Sequence, residues 1–303
     1  MANHPELKTL IDFIRYATSS FNQADLYYGH GTDNAWDEAV ALVFHTLHLP
    51  HHLNPIAYQA TLIQPERTII FDLINQRVTQ RIPLPYLTHE AWFAGYPFYV
   101  DERVLIPRSS LAELILHHFE PWIKPEQIHD ILDLCTGSGS IAIACAKEFP
   151  EAKIDASDIS PHALTVTNIN ILRHQVEDQV NIFESDLFEQ LPSKKYDIII
   201  SNPPYVSIEE MQDLPLEYKH EPAIGLEAGQ LGLDFVIRIL KAAKDYLTPQ
   251  GILIVEVGNS EQALITKYPN VPFTWIEFEH GEGGVFLLTA EELTMYHDQF
   301  MVD

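Results

Sequence analysis

Ile131-Leu132-Asp133-Leu134-Cys135-Thr136-Gly137-Ser138-Gly139-Ser140 is an apolar run that ends in a glycine-rich turn. Its Ile/Leu segment, bounded by glycine, reads as a buried strand. Ile141, Ala144, Cys145 and Phe149 then recur on one helical face, with Pro150 just beyond the pattern. Strand, glycine turn and helix together open a βαβ unit, so an α/β fold with a largely parallel sheet is expected. The glycines let a ligand approach the backbone closely at the start of that helix. Gly137, Gly139 and Ala142 fit the dinucleotide fingerprint G-x-G-x-x-G/A, and Asp158 falls about twenty residues on, where a ribose-binding acid belongs. Nicotinamide and S-adenosylmethionine ligands both pass this test.

Charge begins to separate them. Asp133 at the strand tip would repel a pyrophosphate but favour a ligand carrying an ammonium and a sulfonium. A further strand, Val180-Asn181-Ile182-Phe183, leads into Ser185-Asp186-Leu187-Phe188, where Asp186 can accept from an adenine amino group and Leu187 can flank the ring. Asp186 alone would also serve as a helix cap. Asp133, Asp158, Asp186 and Asn202 each fall near the end of a successive predicted strand. Open α/β sheets bind ligands at the carboxyl ends of their strands, so the four together say more than any one.

The fourth of these strands, Tyr196-Asp197-Ile198-Ile199-Ile200-Ser201, runs into Asn202-Pro203-Pro204-Tyr205. Asn202 offers an amide acceptor and donor, two prolines fix φ and remove two backbone donors, and Tyr205 supplies a flat aromatic wall. Such a pocket suits a planar amide or amine, although Asn and Pro are also ordinary turn formers.

With these motifs in view, the chain resembles the class I S-adenosylmethionine-dependent methyltransferases. More narrowly it resembles the family that methylates the side-chain amide of glutamine in translation proteins. Besides the loop and Asn-Pro-Pro-Tyr, the likeness includes Val100-Asp101-Glu102-Arg103-Val104-Leu105-Ile106-Pro107-Arg108, Glu221-Pro222, and Ala228-Gly229-Gln230-Leu231-Gly232-Leu233. One branch of that family acts on peptide-chain release factors, the other on large-subunit ribosomal protein L3. Phe21-Asn22, the stretch from Tyr28 to Ala39, Pro85-Tyr86-Leu87, and Ser109-Ser110 after Pro107-Arg108 are similar to the second branch. Release-factor enzymes generally carry Pro and an acid after the Pro-Arg.

The resemblance implies a Rossmann-like domain with a seven-stranded, mostly parallel sheet ending in an antiparallel hairpin, preceded by a small helical domain. It implies a cofactor site of Asp133, Thr136, Gly137, Ser138, Gly139, Asp158, Ile159, Asp186, Leu187 and Asn202. S-adenosyl-L-methionine would enter and S-adenosyl-L-homocysteine leave. Asn202, Pro203 and Tyr205 would act on the substrate, with Pro204, Arg108 and Glu221 bordering it. Arg108 would lie beside the methionine end of the cofactor, or brace the domain junction. Chemistry supports the assignment of Asn202 and Pro203. A glutamine nitrogen is a poor nucleophile because its lone pair is delocalised, so positioning has to supply much of the rate. The Asn202 Oδ1 and the Pro203 carbonyl would each accept an N–H and turn the nitrogen toward the methyl group. The leaving group is neutral, so no metal and no general base is assigned.

The chain has 303 residues and a net charge of −25, and its acidity is uneven: residues 1–103 hold six Lys/Arg against eleven Asp/Glu, leaving −20 for residues 104–303. Such a domain repels a phosphate backbone and attracts a basic protein. Stable nucleic-acid binding is therefore not expected, although adenine amino-methyltransferases use the same tetrapeptide and flip a base into its pocket. Cys135 and Cys145 are expected as buried free thiols. His51-His52 and His117-His118 lack a Cys or acid at ligand spacing, and no metal site is expected. Met1 to Lys8 is polar without a leader-like apolar stretch, and no apolar run is long enough for a membrane span. A cytoplasmic enzyme is expected.

Apolar residues recur at helical spacing over residues 5–50, as in Leu7, Leu10, Ile11 and Ile14, and helical segments continue to about residue 82. The expected division is a helical substrate-recognition domain over residues 1–88, a β-hairpin linker over 89–103 with its turn at Phe93 to Pro97, and the methyltransferase domain over 104–303. Strands are predicted at 128–134, 153–158, 180–183, 196–201, 250–257, 273–279 and 284–289, with a helix at 232–247. The last two strands adjoin through His280-Gly281-Glu282-Gly283-Gly284. Val206 to Gln230 reads as a loop over the active site.

Overall fold

The computed structural model describes residues 6–50, 52–279 and 283–302. Two compact units emerge, one comprising Met1–Ala91 with Pro215–His220, the other Trp92–Leu214 with Glu221–Asp303.

The first unit is helical: α1 (Leu10–Gln23), α2 (Ala35–Thr46), α3 (Gln64–Gln80) and the single turn α4 (Leu84–Thr88). Thr9 and Asp12 close a capping box at the start of α1, and Asn34 caps α2. Leu10, Phe13, Ile14, Ala17 and Phe21 bury one face of α1 in a core shared with Ala39, Leu42 and Val43 of α2 and Ile70 and Ile74 of α3. Arg77 is 1% exposed within this unit; its Nε lies 2.6 Å from Glu38 and its Nη1 3.3 Å from Glu217. The ion cluster explains why a six-residue segment from far along the chain belongs here.

The second unit begins at Trp92, within the hairpin of β1 (Ala91–Phe93) and β2 (Tyr96–Phe98), and continues with α5 (Leu111–Leu116) and an α/β alternation. The alternation runs β3 (Asp130–Leu134), α6 (Ser140–Glu148), β4 (Lys153–Asp158), α7 (Pro161–His174), β5 (Val180–Glu184) and β6 (Tyr196–Ser201). It continues with α8 (Ile208–Asp213), α9 (Asp234–Ala242), β7 (Leu247–Glu256), α10 (Glu261–Lys267), β8 (Thr274–Trp275), β9 (Val285–Thr289), α11 (Ala290–Met295) and α12 (His297–Phe300).

Seven strands form one sheet in the order β5-β4-β3-β6-β7-β9-β8. β9 is antiparallel to both β7 and β8, and the other pairs are parallel. The expected Rossmann-like α/β fold with a terminal antiparallel hairpin is what the chain adopts. Ile198, Ile199 and Ile200 are fully buried, as a central parallel strand covered on both faces requires.

Two details differ from the sequence reading. The strand predicted over 273–279 shrinks to Thr274–Trp275, because only these two residues pair with β9. The helix predicted over 232–247 is α9 followed by a 3₁₀ turn, and Leu247 already belongs to β7. His280 to Glu282 of the predicted turn, His51, and Met1 to Pro5 lie outside the described residues.

From β3 the chain passes outward to β4 and β5, then returns to β6 on the other flank of β3. This reversal leaves a crevice at the carboxyl ends of β3 and β6, the place where open α/β sheets bind ligands. Register fixes what lies there. Leu134 pairs with Ser201 and with Ser157, so the glycine loop, Asp158 and Asn202 leave the sheet side by side. Among the described residues, no helix is long and apolar enough to cross a membrane.

Candidate active site

A cleft of about 830 Å³, mouth included, opens at this reversal. Gly137, Asp158, Ile159, Asp186, Leu187, Asn202 and Pro204 line it, seven of the residues singled out from sequence. Arg103, Val104, Leu105, Cys135, Ser160, Ala163, Ser185, Pro222, Ile224, Gly225 and Phe235 complete the wall.

The loop after β3 is built from within. Asp133 is fully buried; its Oδ2 accepts from the Thr136 hydroxyl at 2.5 Å and from the Ala142 N–H at 3.1 Å. Its Oδ1 is buried without a hydrogen-bond partner. Burial pushes the carboxyl up to about 7, against the two hydrogen bonds that favour its charge. Asp133 therefore sits beneath the loop, with Thr136 and Ser138 also buried, and none of the three lines the cleft. Gly139 caps α6 at φ +81°, where a Cβ would come within 2.8 Å of the Thr167 side chain. Gly137 has φ +57°, and a Cβ there would meet no protein atom within 4 Å. The backbone of Gly137 is thus open on its cleft side.

Asp158 ends β4 with both oxygens oriented by backbone. Oδ2 accepts from Gly137 N–H and Oδ1 from Ser160 N–H, each at 2.9 Å. Burial raises its pKa and these N–H groups oppose the rise. A carboxylate held this way keeps further lone pairs for two neighbouring hydroxyls. Asp186 pairs through Oδ1 with Arg238 Nη2 at 2.9 Å, so the acid expected at an adenine edge is partly neutralised. Leu187 stands beside it at φ +52°, its carbonyl accepting from the Ser185 hydroxyl at 2.7 Å.

On the β6 side, Ser201 Oγ donates to the Leu134 carbonyl at 2.8 Å and ties the two strand ends together. Pro203 and Pro204 are buried, and Asn202 and Tyr205 half-buried. Among the described residues, no protein group hydrogen-bonds the Asn202 side chain or donates to the Pro203 carbonyl. Tyr205 lies outside the cleft wall, its hydroxyl 3.3 Å from Glu256 Oε1. Arg108 and Glu221 also stand off the wall and face each other, with Arg108 Nη1 2.6 Å and Nη2 2.8 Å from the Glu221 carboxylate. Glu221 has no exposed side-chain surface and also accepts from Ile106 N–H, a brace rather than a rim.

Sequence reading passed over Ser109 as a contact, and over Glu256 and Gly258. The signal for Glu256 was present: an acid at the end of the predicted strand 250–257, like the four acids and amides already singled out. Among the described residues, no three His, Cys, Asp or Glu side chains gather in a way that could hold a metal ion.

The fold alone is shared with the catalytic domain of hMettl16 solved in complex with MAT2A 3′UTR hairpin 6. That structure is 16% identical, with a TM-score of 0.52 over 79% of this chain and 87% of that one. Residues 111–215 match the methyltransferase small domain. Two curated relatives extend much further. The ribosomal protein uL3 glutamine methyltransferase of Francisella tularensis subsp. tularensis is 47% identical over 97% of this chain and 94% of its own. That of Xanthomonas campestris pv. campestris is 49% identical over 95% and 93%. This chain belongs to the ribosomal protein uL3 glutamine methyltransferase family. Membership at this level covers both units, so the helical unit is as much part of the family as the sheet. The resemblance read from the sequence is borne out at the level of the family.

Proposed function

We propose that this protein transfers a methyl group from S-adenosylmethionine to the side-chain amide nitrogen of a glutamine in large-subunit ribosomal protein uL3. The observation that carries it is the pair of unfilled acceptors at the end of β6: the Asn202 amide, which lines the cleft, and the carbonyl of Pro203, the next residue in the chain.

The residues present fit S-adenosylmethionine. Gly137 leaves open backbone for close approach, Asp158 holds a fixed carboxylate suited to a ribose diol, and Leu187 and Phe235 offer apolar walls to a purine. Bound there, the cofactor supplies an electrophilic methyl carbon. Asn202 Oδ1 and the Pro203 carbonyl then accept the two N–H groups of the substrate amide and fix its plane. As the nitrogen gives up electron density to the methyl carbon, these acceptors stabilise the growing positive charge; the methyl–sulfur bond would break with release of neutral S-adenosylhomocysteine, and one N–H proton would then pass to solvent. The two prolines keep the acceptors rigid, since φ is fixed at both. Tyr205 stands off the cofactor cleft, and its ring would flank the amide on the side where the substrate enters.

Charge supports a basic protein as substrate: residues 104–303 carry −20, and steering by such a field favours a cationic partner over a phosphate backbone. The site of action is the cytoplasm, where ribosomal proteins are made.

Incubation with methyl-labelled cofactor and separate samples of uL3, a release factor, ribosomal RNA and duplex DNA tests this reading. Label on a glutamine of uL3, mapped by tandem mass spectrometry, is expected. Label on the release factor or on nucleic acid alone would contradict it.

A further inference from the structure

Tyr205 is held from beyond its own motif. Its ring lies against Gly258, φ +45°, where a Cβ would come within 2.5 Å of Tyr205 Cε2 and 2.8 Å of Cζ. Any other residue at 258 would displace the ring. The Tyr205 carbonyl accepts from Ser260 Oγ at 2.9 Å. The hydroxyl donates to Glu256 Oε1 at 3.3 Å. Glu256, 7% exposed at the end of β7, in turn accepts from Ser109 Oγ at 2.5 Å through its other oxygen. Ser109 is itself buried, and its Oγ accepts from Leu111 N–H at 3.1 Å. A chain of contacts thus runs from the start of α5 through the end of β7 to the aromatic ring of Tyr205, three residues beyond Asn202 in the chain.

We propose that Glu256 and Ser109 are positioning residues of the methyl-transfer reaction, fixing the Tyr205 ring as the wall against which the substrate amide is oriented. The inference rests on the reading that Asn202 to Tyr205 receive a glutamine amide. Backbone contacts leave a tyrosine ring free to turn about its side-chain bonds, whereas a hydroxyl anchored to a buried carboxylate defines the ring's direction. The carboxylate needs its own orientation, and the Ser109 hydroxyl supplies it. Because an amide is a poor nucleophile, a small misplacement of this wall costs rate rather than affinity.

Glu256→Ala is expected to lower the single-turnover rate at saturating cofactor and uL3 by about ten- to hundredfold, the effect of losing a hydrogen bond to a charged group. The KM for uL3 and the cofactor Kd should change by less than about threefold. Glu256→Gln keeps an acceptor for the tyrosine and should recover most of the rate. In a Tyr205→Phe background, Glu256→Ala should add little, because the hydroxyl through which it acts is gone. If Glu256→Ala fails to fold, Ser109→Ala supplies the same comparison, with a smaller loss that also vanishes in Tyr205→Phe. A parent-like rate in Glu256→Ala, or losses that multiply with Tyr205→Phe, would overturn the inference. Methylation of uL3 by the parent enzyme is scored first. Absence of that product removes the underlying reading and the inference with it, while its presence beside unchanged variants overturns the inference alone.

Discussion

Arg108 and Glu221, 113 residues apart, form a two-pronged ion pair with Nη1–Oε1 at 2.6 Å and Nη2–Oε2 at 2.8 Å. The pair fastens the loop that follows β6 to the segment that precedes α5. Pro222 and Ile224 line the cleft from the first of these segments, and Leu105 from the second. Geometry of this kind is stronger than a single-point contact, and Glu221 is sealed from solvent while Arg108 is about a quarter exposed.

Glu221→Gln should therefore destabilise the sheet unit by about 2–4 kcal/mol, somewhat less than a fully buried pair. Cofactor affinity should fall with it, because the cleft walls lose their tie. Denaturant titration and calorimetry measure the two effects. Unchanged stability with a raised KM for uL3 would instead make Glu221 a substrate contact.

Asp158 lines the cleft with both carboxylate oxygens fixed by backbone donors. Asp158→Ala should weaken S-adenosylhomocysteine binding by roughly 1.5–3 kcal/mol, the loss of hydrogen bonds to a charged acceptor. Calorimetry on a variant with a parent-like melting profile reads this. Equal affinity would remove Asp158 from the ribose site.

Burial lifts the Asp133 carboxyl to about 7. The folded protein then holds a proton that the unfolded chain releases near pH 4, so folding is favoured at low pH and this contribution is lost as pH rises through about 7. Asp133→Asn has no proton to lose. Between about pH 5 and pH 8 the unfolding free energy of the parent should fall by about 2–3 kcal/mol relative to the variant. A pH-independent difference would show that the carboxyl ionises normally despite its burial.

Much of this was legible in the sequence, for physical reasons that also mark its limits. Parallel strands buried on both faces read as nearly continuous apolar runs, so Ile131 to Leu134, interrupted only by Asp133, and Ile198 to Ile200 announced themselves, and the polar residues at their ends followed. Asp133 was legible as an acid at a strand tip but not as a buried support. A one-dimensional pattern gives the strand end and not whether the side chain points to the ligand or beneath the loop. Arg108 with Glu221, and Tyr205 with Glu256, pair residues more than fifty positions apart, and no local spacing carries such contacts. Pro215–His220 was legible only as loop, since its place in the helical unit depends on Glu217 reaching the buried Arg77.

The central claim is that the end of β6 orients an amide for transfer, and Asn202→Ala tests it most directly. The substitution removes one of two acceptors while leaving the strand, both prolines and the cofactor cleft. Single-turnover methylation of uL3 at saturating cofactor and substrate should slow by about a hundred- to a thousandfold, the cost of deleting one preorganised hydrogen-bonding group at a reacting centre, with cofactor affinity changing far less than the rate. A variant that matched the parent rate would contradict the claim and leave Asn202 to Tyr205 as a turn at the end of a strand.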